Sequence, residues 1–234
     1  MDAVILVGGK GTRLQTVVND RPKPMAEVQG RPFVERILST LKAQGIHRVV
    51  LAVGHQADVV ISHFTQNPYP GMELIFSREA TPLGTAGALR NALPAIRSPL
   101  LLVLNGDSYC RFSVDDLFNR HRHCGALATL WLTETDDCRR YGSVEVDADG
   151  RVTSFREKSA RVKPGLISAG VYLLERELIA TIPPDRAVSL EAEFFPSLID
   201  KGLYATSCTG PFLDIGTPES YAAAEGFFAT VGSR

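Results

Sequence analysis

A short apolar run at residues 3–7 ends in Gly8-Gly9-Lys10-Gly11-Thr12-Arg13-Leu14. Glycines placed directly after a strand let the backbone turn tightly and present successive N–H groups, which is how a chain cradles phosphate oxygens. Arg13 adds a forked cation beside them. Two familiar phosphate loops do not match. A Walker A loop needs Gly-Lys-Ser or Gly-Lys-Thr after a four-residue gap, and the dinucleotide fingerprint needs a glycine where Leu14 stands. A second cation follows at Lys23, inside Arg21-Pro22-Lys23-Pro24-Met25. A proline on each side stiffens the backbone and holds the ammonium in place. Asp107 stands after Gly106 at the carboxyl end of an apolar run, and Asp214 closes a short run near the end of the chain. Either aspartate alone also suits a helix cap. Carboxylates are equally what a hard divalent cation on phosphate oxygens requires, and Mg²⁺ keeps few protein ligands, so two would suffice.

These residues need a scaffold, and the hydrophobic pattern describes one. Pro32 opens a helix carrying Phe33, Val34, Ile37, Leu38 and Leu41 at helical spacing, with Gly45 as its stop. Residues 48–53, 72–77 and 100–105 read as strands, and 56–64 and 85–93 as helices. This rhythm predicts a parallel sheet covered on both faces. Beyond it, Asp147-Ala148-Asp149-Gly150 marks a hairpin between strands at 143–146 and 152–156. A strand at 167–174, helices near 175–181 and 191–201, last strands at 203–208 and 212–215 and a closing helix at 218–228 complete the reading. No internal repeat or Gly/Ser/Pro-rich linker interrupts it. The expected fold is α/β: a single Rossmann-like domain over residues 1–230 with a mixed, mostly parallel sheet flanked by helices. Ligands gather at the carboxyl ends of such strands, where the motifs above fall.

Composition narrows the function classes. The chain has 234 residues, 44% hydrophobic and 22% charged, which excludes a disordered or collagen-like polymer. With 25 Lys and Arg against 26 Asp and Glu, the net charge is −1. A globally basic nucleic-acid binder is therefore not expected, and any anion must be met by local cations. No apolar run approaches a membrane span, so no membrane partner is expected. The N-terminus carries Asp2 where a signal peptide wants basic residues and runs straight into a strand. Four cysteines, Cys110, Cys124, Cys138 and Cys208, form no C-x-x-C pair and read as reduced thiols. Both features predict a cytoplasmic protein.

The ordered set of Gly8-Gly9-Lys10-Gly11-Thr12-Arg13-Leu14 followed by Pro22-Lys23-Pro24 resembles the signature of the sugar-phosphate nucleotidyltransferases. These enzymes join a nucleoside monophosphate from an NTP to a sugar 1-phosphate and release pyrophosphate. Four further segments agree in order: Pro82-Leu83-Gly84-Thr85-Ala86-Gly87, Leu104-Asn105-Gly106-Asp107, Phe155-Arg156-Glu157-Lys158 and Asp214-Ile215-Gly216-Thr217-Pro218-Glu219. The resemblance covers essentially the whole chain. Through Asn19-Asp20-Arg21-Pro22-Lys23-Pro24-Met25-Ala26 and Gly30-Arg31-Pro32-Phe33 it extends to the short guanylyltransferases that act on D-glycero-α-D-manno-heptose 1-phosphate.

The resemblance implies roles for individual residues. Leu6, Gly8, Gly9, Gly11, Thr12, Gly84 and Thr85 would contact the nucleotide, in the N-terminal half. Arg13 would face the β- and γ-phosphates, and Lys23 the α-phosphate and the incoming phosphate. Asp107 and Asp214 would hold Mg²⁺. In the C-terminal half, Glu157 would meet a sugar hydroxyl, Lys158 the sugar phosphate, and Gly142 would bring a backbone N–H close to the sugar. Ser168 and Gly170 stand in Ser168-Ala169-Gly170 where the family often has Asn-Ala-Gly; the shorter side chain leaves room for a larger sugar. Glu79 stands where thymidylyltransferases of the family carry a base-reading glutamine. A carboxylate only accepts, so it suits guanine, whose N1–H and 2-amino group lie side by side; uracil, with one ring N–H, stays open. His121-Arg122-His123-Cys124 is a poor zinc set, because alternate residues on a helix do not share a face. The expected partners are GTP and a sugar 1-phosphate, with Mg²⁺ as cofactor. Mannose 1-phosphate as acceptor, UTP as donor, and a catalytically silent nucleotide-sugar binder are the competing readings. Homo-oligomer formation is left open by the sequence.

Overall fold

The computed structural model describes residues 1–156, 163–207 and 210–231. The first part alternates strand and helix. It runs through β1 (Asp2–Leu6), a minute hairpin of β2 (Glu27–Val28) and β3 (Arg31–Pro32), α1 (Phe33–Ala43) and β4 (Arg48–Val53). It continues with α2 (Ala57–Gln66), β5 (Glu73–Arg78), α3 (Gly84–Ala92) and β6 (Leu100–Asn105). Then come β7 (Ser108–Cys110), α4 (Val114–Cys124), β8 (Ala128–Thr135) and a hairpin of β9 (Ser143–Val146) and β10 (Val152–Arg156). The chain closes with β11 (Gly165–Glu175), α5 (Arg176–Ala180), α6 (Phe195–Ser197), β12 (Leu203–Ser207), β13 (Phe212–Asp214), α7 (Pro218–Ala222) and α8 (Ala224–Val231).

The main sheet has the order β10-β9-β11-β6-β1-β4-β5, with β8 also paired to β11 and β12 to β8. All its strands except β10 and β11 run the same way, so the sheet is mixed and mostly parallel in direction. Between their end residues its central strands are continuously apolar, because both faces are covered. Ile5, Leu51 and Leu104 point into one core with Phe33, Ile37 and Leu41 of α1 and Phe228 of α8. Val4, Val50 and Val103 point into a second core with Leu89 of α3, Ile179 of α5 and Phe195. Each large side chain fully buried this way contributes about 1.5–3 kcal/mol. Among the described residues, no helix is long and apolar enough to cross a membrane.

The order of the strands fixes where a ligand can sit. From β1 the chain steps outward to β4 and β5, then crosses back to β6 on the other side of β1. The connections diverge at that point and open a crevice beyond the carboxyl ends of β1 and β6. Gly106 N–H donates to Leu6 O (3.0 Å), closing the two strand ends against each other.

Three features depart from expectation. Strand β8 was not foreseen: residues 128–133 are buried on both faces, Thr129 and Thr133 included, so no polar alternation announces it. The helix expected over 191–201 is a π-helical turn at Leu190–Phe194 running into the short α6. Pro196 there lacks the N–H that a continuous helix would use. Finally, β13 does not extend the main sheet. It pairs antiparallel with β7, placing Asp214 opposite Ser108, and Ile215 N–H donates to Asp107 O (3.0 Å).

Strand β11 bulges between Ser168 and Val171 against β8, and Gly170 takes φ +75° there. A Cβ on Gly170 would lie 2.6 Å from Ser108 Oγ and 3.0 Å from Asn105 Cβ. Left-handed backbone and overpacking add, so Gly170→Ala is expected to lose about 2–4 kcal/mol of stability. The midpoint of urea unfolding measures this; an unchanged midpoint would show that the bulge tolerates a side chain.

Candidate active site

A cleft of about 700 Å³ occupies the predicted crevice. The glycine loop supplies one wall through Leu6, Gly8, Gly9, Gly11, Thr12 and Arg13. The connection from β5 to α3 supplies another through Glu79, Gly84 and Thr85, and Lys23 and Asp107 stand at the end between them. Every residue expected to contact the nucleotide thus lines one space. Ala52, Gly54, His55 and Asn105 line it too. Sequence reasoning passed over these four, although Gly54 and Asn105 stand at strand ends as Gly8 and Asp107 do.

The two prolines flank Lys23 within a tight turn. Pro22 has φ −69° and Lys23–Met25 form a single 3-10 turn, with Met25 N–H donating to Pro22 O (2.8 Å). The segment rests on two glycines. A Cβ on Gly106 would meet Pro24 Cγ at 3.2 Å, and one on Gly11, at φ +60°, would meet Lys23 Cβ at 3.2 Å. Lys23, its side chain only 9% exposed, donates from Nζ to Asp107 Oδ2 (2.6 Å).

Asp214 lies beside this pair through the β7–β13 ladder. It accepts from Gly216 N–H (2.6 Å) and pairs with Arg140 Nη2 (3.4 Å). Burial, then the neighbouring Asp107 carboxylate, pushes its pKa up, against the pull of Lys23. Two neighbouring carboxylates, with an ammonium already against one of them, form an all-oxygen donor set that suits a hard divalent cation. Tyr141 closes the charged cluster: burial raises its phenol, which also feels Asp214, Arg140, Arg13 and Asp107. Arg140 was not singled out in the sequence, where it is one of two successive arginines.

Glu79 sits deeper than a surface glutamate. A Cβ on Gly8 would stand 3.0 Å from its Oε1 and one on Gly54 would stand 2.1 Å from it, so both glycines make room for the carboxylate. Its Oε2 accepts from Leu83 N–H (3.1 Å), and burial pushes its pKa up.

The α3 end of the cleft is more structural than the sequence implied. A Cβ on Gly84, at φ +69°, would meet Val188 O at 2.5 Å, and one on Gly87 would meet Arg186 O at 2.7 Å. The small residues therefore first serve close packing of α3 on the 186–188 segment. The Thr85 hydroxyl is engaged twice, donating to Glu191 Oε2 (3.0 Å) and accepting from Leu190 N–H (2.7 Å). Glu191 Oε1 accepts from Tyr172 (3.1 Å), whose hydroxyl in turn accepts from Ser168 Oγ (3.3 Å) and from Asn105. The Ser168 hydroxyl is thus engaged with Tyr172. Gly142 packs on β10, a Cβ there lying 3.1 Å from the Phe155 ring. Glu157 and Lys158 lie outside the described residues, as does Cys208. His121 is buried, with Nδ1 2.9 Å from Thr129 Oγ1 and Nε2 3.4 Å from Glu175 Oε1. It belongs to the packing of α4 on β8.

The half-buried Glu79 carries a stability consequence. With its pKa raised, the linked stability is fully present below the ordinary glutamate range and is lost as pH rises through the raised value. Glu79→Gln keeps an acceptor for Leu83 and removes the charge. The variant is expected to melt higher than the parent at pH 8 and to lose that advantage below about pH 4. Thermal melts across that range test it; equal melting at pH 8 would show that the carboxylate is already solvated.

Comparison with known proteins agrees with this architecture. The family model described as nucleotidyl transferase matches residues 2–230. The D-glycero-alpha-D-manno-heptose 1-phosphate guanylyltransferase of Campylobacter jejuni is 38% identical over 224 residues, covering 94% of this chain and 97% of its own. The mannose-1-phosphate guanylyltransferase of Mycobacterium tuberculosis is 37% identical over 224 residues, but the match takes in 94% of this chain and only 62% of that longer protein. Among solved structures, HddC from Yersinia pseudotuberculosis complexed with GMP-PN superposes with a TM-score of 0.85 at 36% identity, covering 97% of this chain and 99% of HddC. Similarity of this extent, over the same fold, shows that the chain belongs to the nucleotidyl transferase family, among the sugar-phosphate nucleotidyltransferases.

Proposed function

We propose that this protein transfers GMP from GTP to a sugar 1-phosphate, D-glycero-α-D-manno-heptose 1-phosphate in the first instance, with release of pyrophosphate. The observation that carries the reading is the convergence of Arg13, Lys23 and Asp107 on one cleft, with Asp214 laddered beside Asp107 and Glu79 in the wall away from them. The relatives named as guanylyltransferases, and a similar protein solved with GMP-PN, support guanine as the base. A carboxylate at Glu79 supports it independently, since guanine alone offers adjacent N1–H and amino donors.

The chain's own residues do the positioning. An oxygen of the sugar phosphate attacks the α-phosphorus in line with the departing pyrophosphate, so two anions must be brought together. Lys23, fixed by its prolines, offsets that repulsion at the α-phosphate, and Arg13 takes the charge that grows on pyrophosphate. Asp107 and Asp214 would hold Mg²⁺, which when bound neutralises and orients the phosphate oxygens. Residues 1–230 act as one nucleotidyltransferase domain, the N-terminal half holding the nucleotide and the C-terminal half the sugar phosphate. Mannose 1-phosphate is the second acceptor to consider, because the mycobacterial relative carries that name at similar identity. A silent nucleotide-sugar binder would be free to lose a cation or a carboxylate, yet all four are retained.

A pyrophosphate-release screen of the four NTPs against heptose 1-phosphate and mannose 1-phosphate tests the reading. Turnover is expected with GTP, Mg²⁺ and the heptose phosphate, and absence of turnover with any pair would overturn it. Asp107→Asn and Asp214→Asn each keep volume and remove charge, and both are expected to abolish release. Near-parental rates in both would show that the carboxylates hold no ion. Glu79→Gln is expected to lower kcat/KM for GTP by about one to two decades, the worth of a forked base contact, while UTP is unchanged or improved. An unaltered GTP-to-UTP ratio would remove Glu79 as the base reader.

A further inference from the structure

Each carboxylate at the end of the cleft already carries one of the chain's own cations. Lys23 Nζ lies 2.6 Å from Asp107 Oδ2, and Arg140 Nη2 lies 3.4 Å from Asp214 Oδ1. Two negative charges and two positive ones leave the cluster near neutrality. Arg140 is only partly used there. Its Nη2 reaches Asp214 Oδ1 and Ser220 Oγ, both at 3.4 Å, while its Nε is buried with no hydrogen-bond partner among the described residues. The guanidinium also stands over Tyr141, 5.6 Å from the ring centre, and the Tyr141 phenol feels both Arg13 and Asp107. Arg140 therefore belongs to the same charged cluster as the phosphate-facing residues, with a fork that is not filled.

A divalent cation arriving on Asp107 and Asp214 alone would leave two uncompensated positive charges in a partly buried site, which is costly. Phosphate removes the difficulty, because its oxygens can take the displaced ammonium and guanidinium. Resting on the reading of Asp107 and Asp214 as cation ligands, we propose that Lys23 and Arg140 are resident counter-ions that give up their carboxylates to a divalent cation and move to phosphate. Arg140 is then a phosphate-binding residue alongside Arg13 and Lys23. Divalent-cation and phosphate binding become linked, each tightening the other by the same factor. The shared ligand chemistry is a phosphate group, carried either by the nucleotide chain or by the sugar 1-phosphate.

The test titrates Mn²⁺, followed by calorimetry, into the parent, Lys23→Met, Arg140→Gln, Arg140→Lys and Asp107→Asn. Each is measured alone, with pyrophosphate, and with mannose 1-phosphate. Without phosphate, Lys23→Met and Arg140→Gln are expected to bind Mn²⁺ about tenfold more tightly than the parent, within the usual range of such couplings. They should also gain less when phosphate is added. Arg140→Lys, which keeps the charge, should stay near the parent, and Asp107→Asn should lose binding. A gain lost only with pyrophosphate assigns Arg140 to the nucleotide phosphates, and one lost only with mannose 1-phosphate assigns it to the acceptor. Thermal melts establish that each variant is folded; should Lys23→Met unfold, the Arg140 pair decides alone. Parental or weaker Mn²⁺ affinity in Arg140→Gln, with Asp107→Asn still abolishing binding, overturns the exchange and leaves the cation site standing. Mn²⁺ binding that survives Asp107→Asn overturns both.

Discussion

Two carboxylates held side by side repel, and the charged end of this molecule is organised around that constraint. Asp107 comes from the middle of the chain and Asp214 from near its end, and backbone hydrogen bonds between β7 and β13 hold the two segments together. Burial makes the repulsion more costly, which is why the Asp214 carboxyl is raised despite its hydrogen bond from Gly216. Lys23 and Arg140 offset the cost with one cation for each carboxylate. A pair arranged this way stays folded without an ion and still offers hard oxygen ligands to one. It also couples the site to anions, since the compensating cations have a second natural partner in phosphate.

The glycines of the cleft follow from crowding where strands end. Gly8, Gly54 and Gly106 let the backbones of β1, β4 and β6 close on one another while leaving space for Glu79 and Pro24. Any side chain at these positions would push Glu79 or the Lys23 turn out of place. The glycine loop is therefore a packing solution whatever it binds. The same crowding half-buries Glu79, and desolvation of its carboxylate costs stability at neutral pH.

The polar chain from Ser168 through Tyr172 and Glu191 to Thr85 ties the two halves of the cleft together. Each hydroxyl donates or accepts toward a defined partner, so the network specifies one arrangement of α3 against β11. Asn105 joins it from the strand that leads to Asp107. The bulge at Gly170 is thus connected to the N-terminus of α3, which lines the cleft.

Much of this was written in local sequence. The alternation of strands and helices through β6, the hairpin of β9 and β10, the glycine loop and the proline-braced Lys23 each depend on residues close together in the chain, and local rules read them. The residue types at the site, two cations and two carboxylates at strand ends, were legible as well. What only the tertiary structure decided is which distant segments meet. The pairing of β13 with β7 rather than with the main sheet, the recruitment of Arg140, and the use of the Thr85 hydroxyl by Glu191 leave no periodic or spacing signal. Strand β8 escaped because burial on both faces erased its alternation. Short-range propensity and pattern settle the elements; contacts between elements far apart in the chain depend on shape and on the satisfaction of buried charge, which exist only once the sheet has formed.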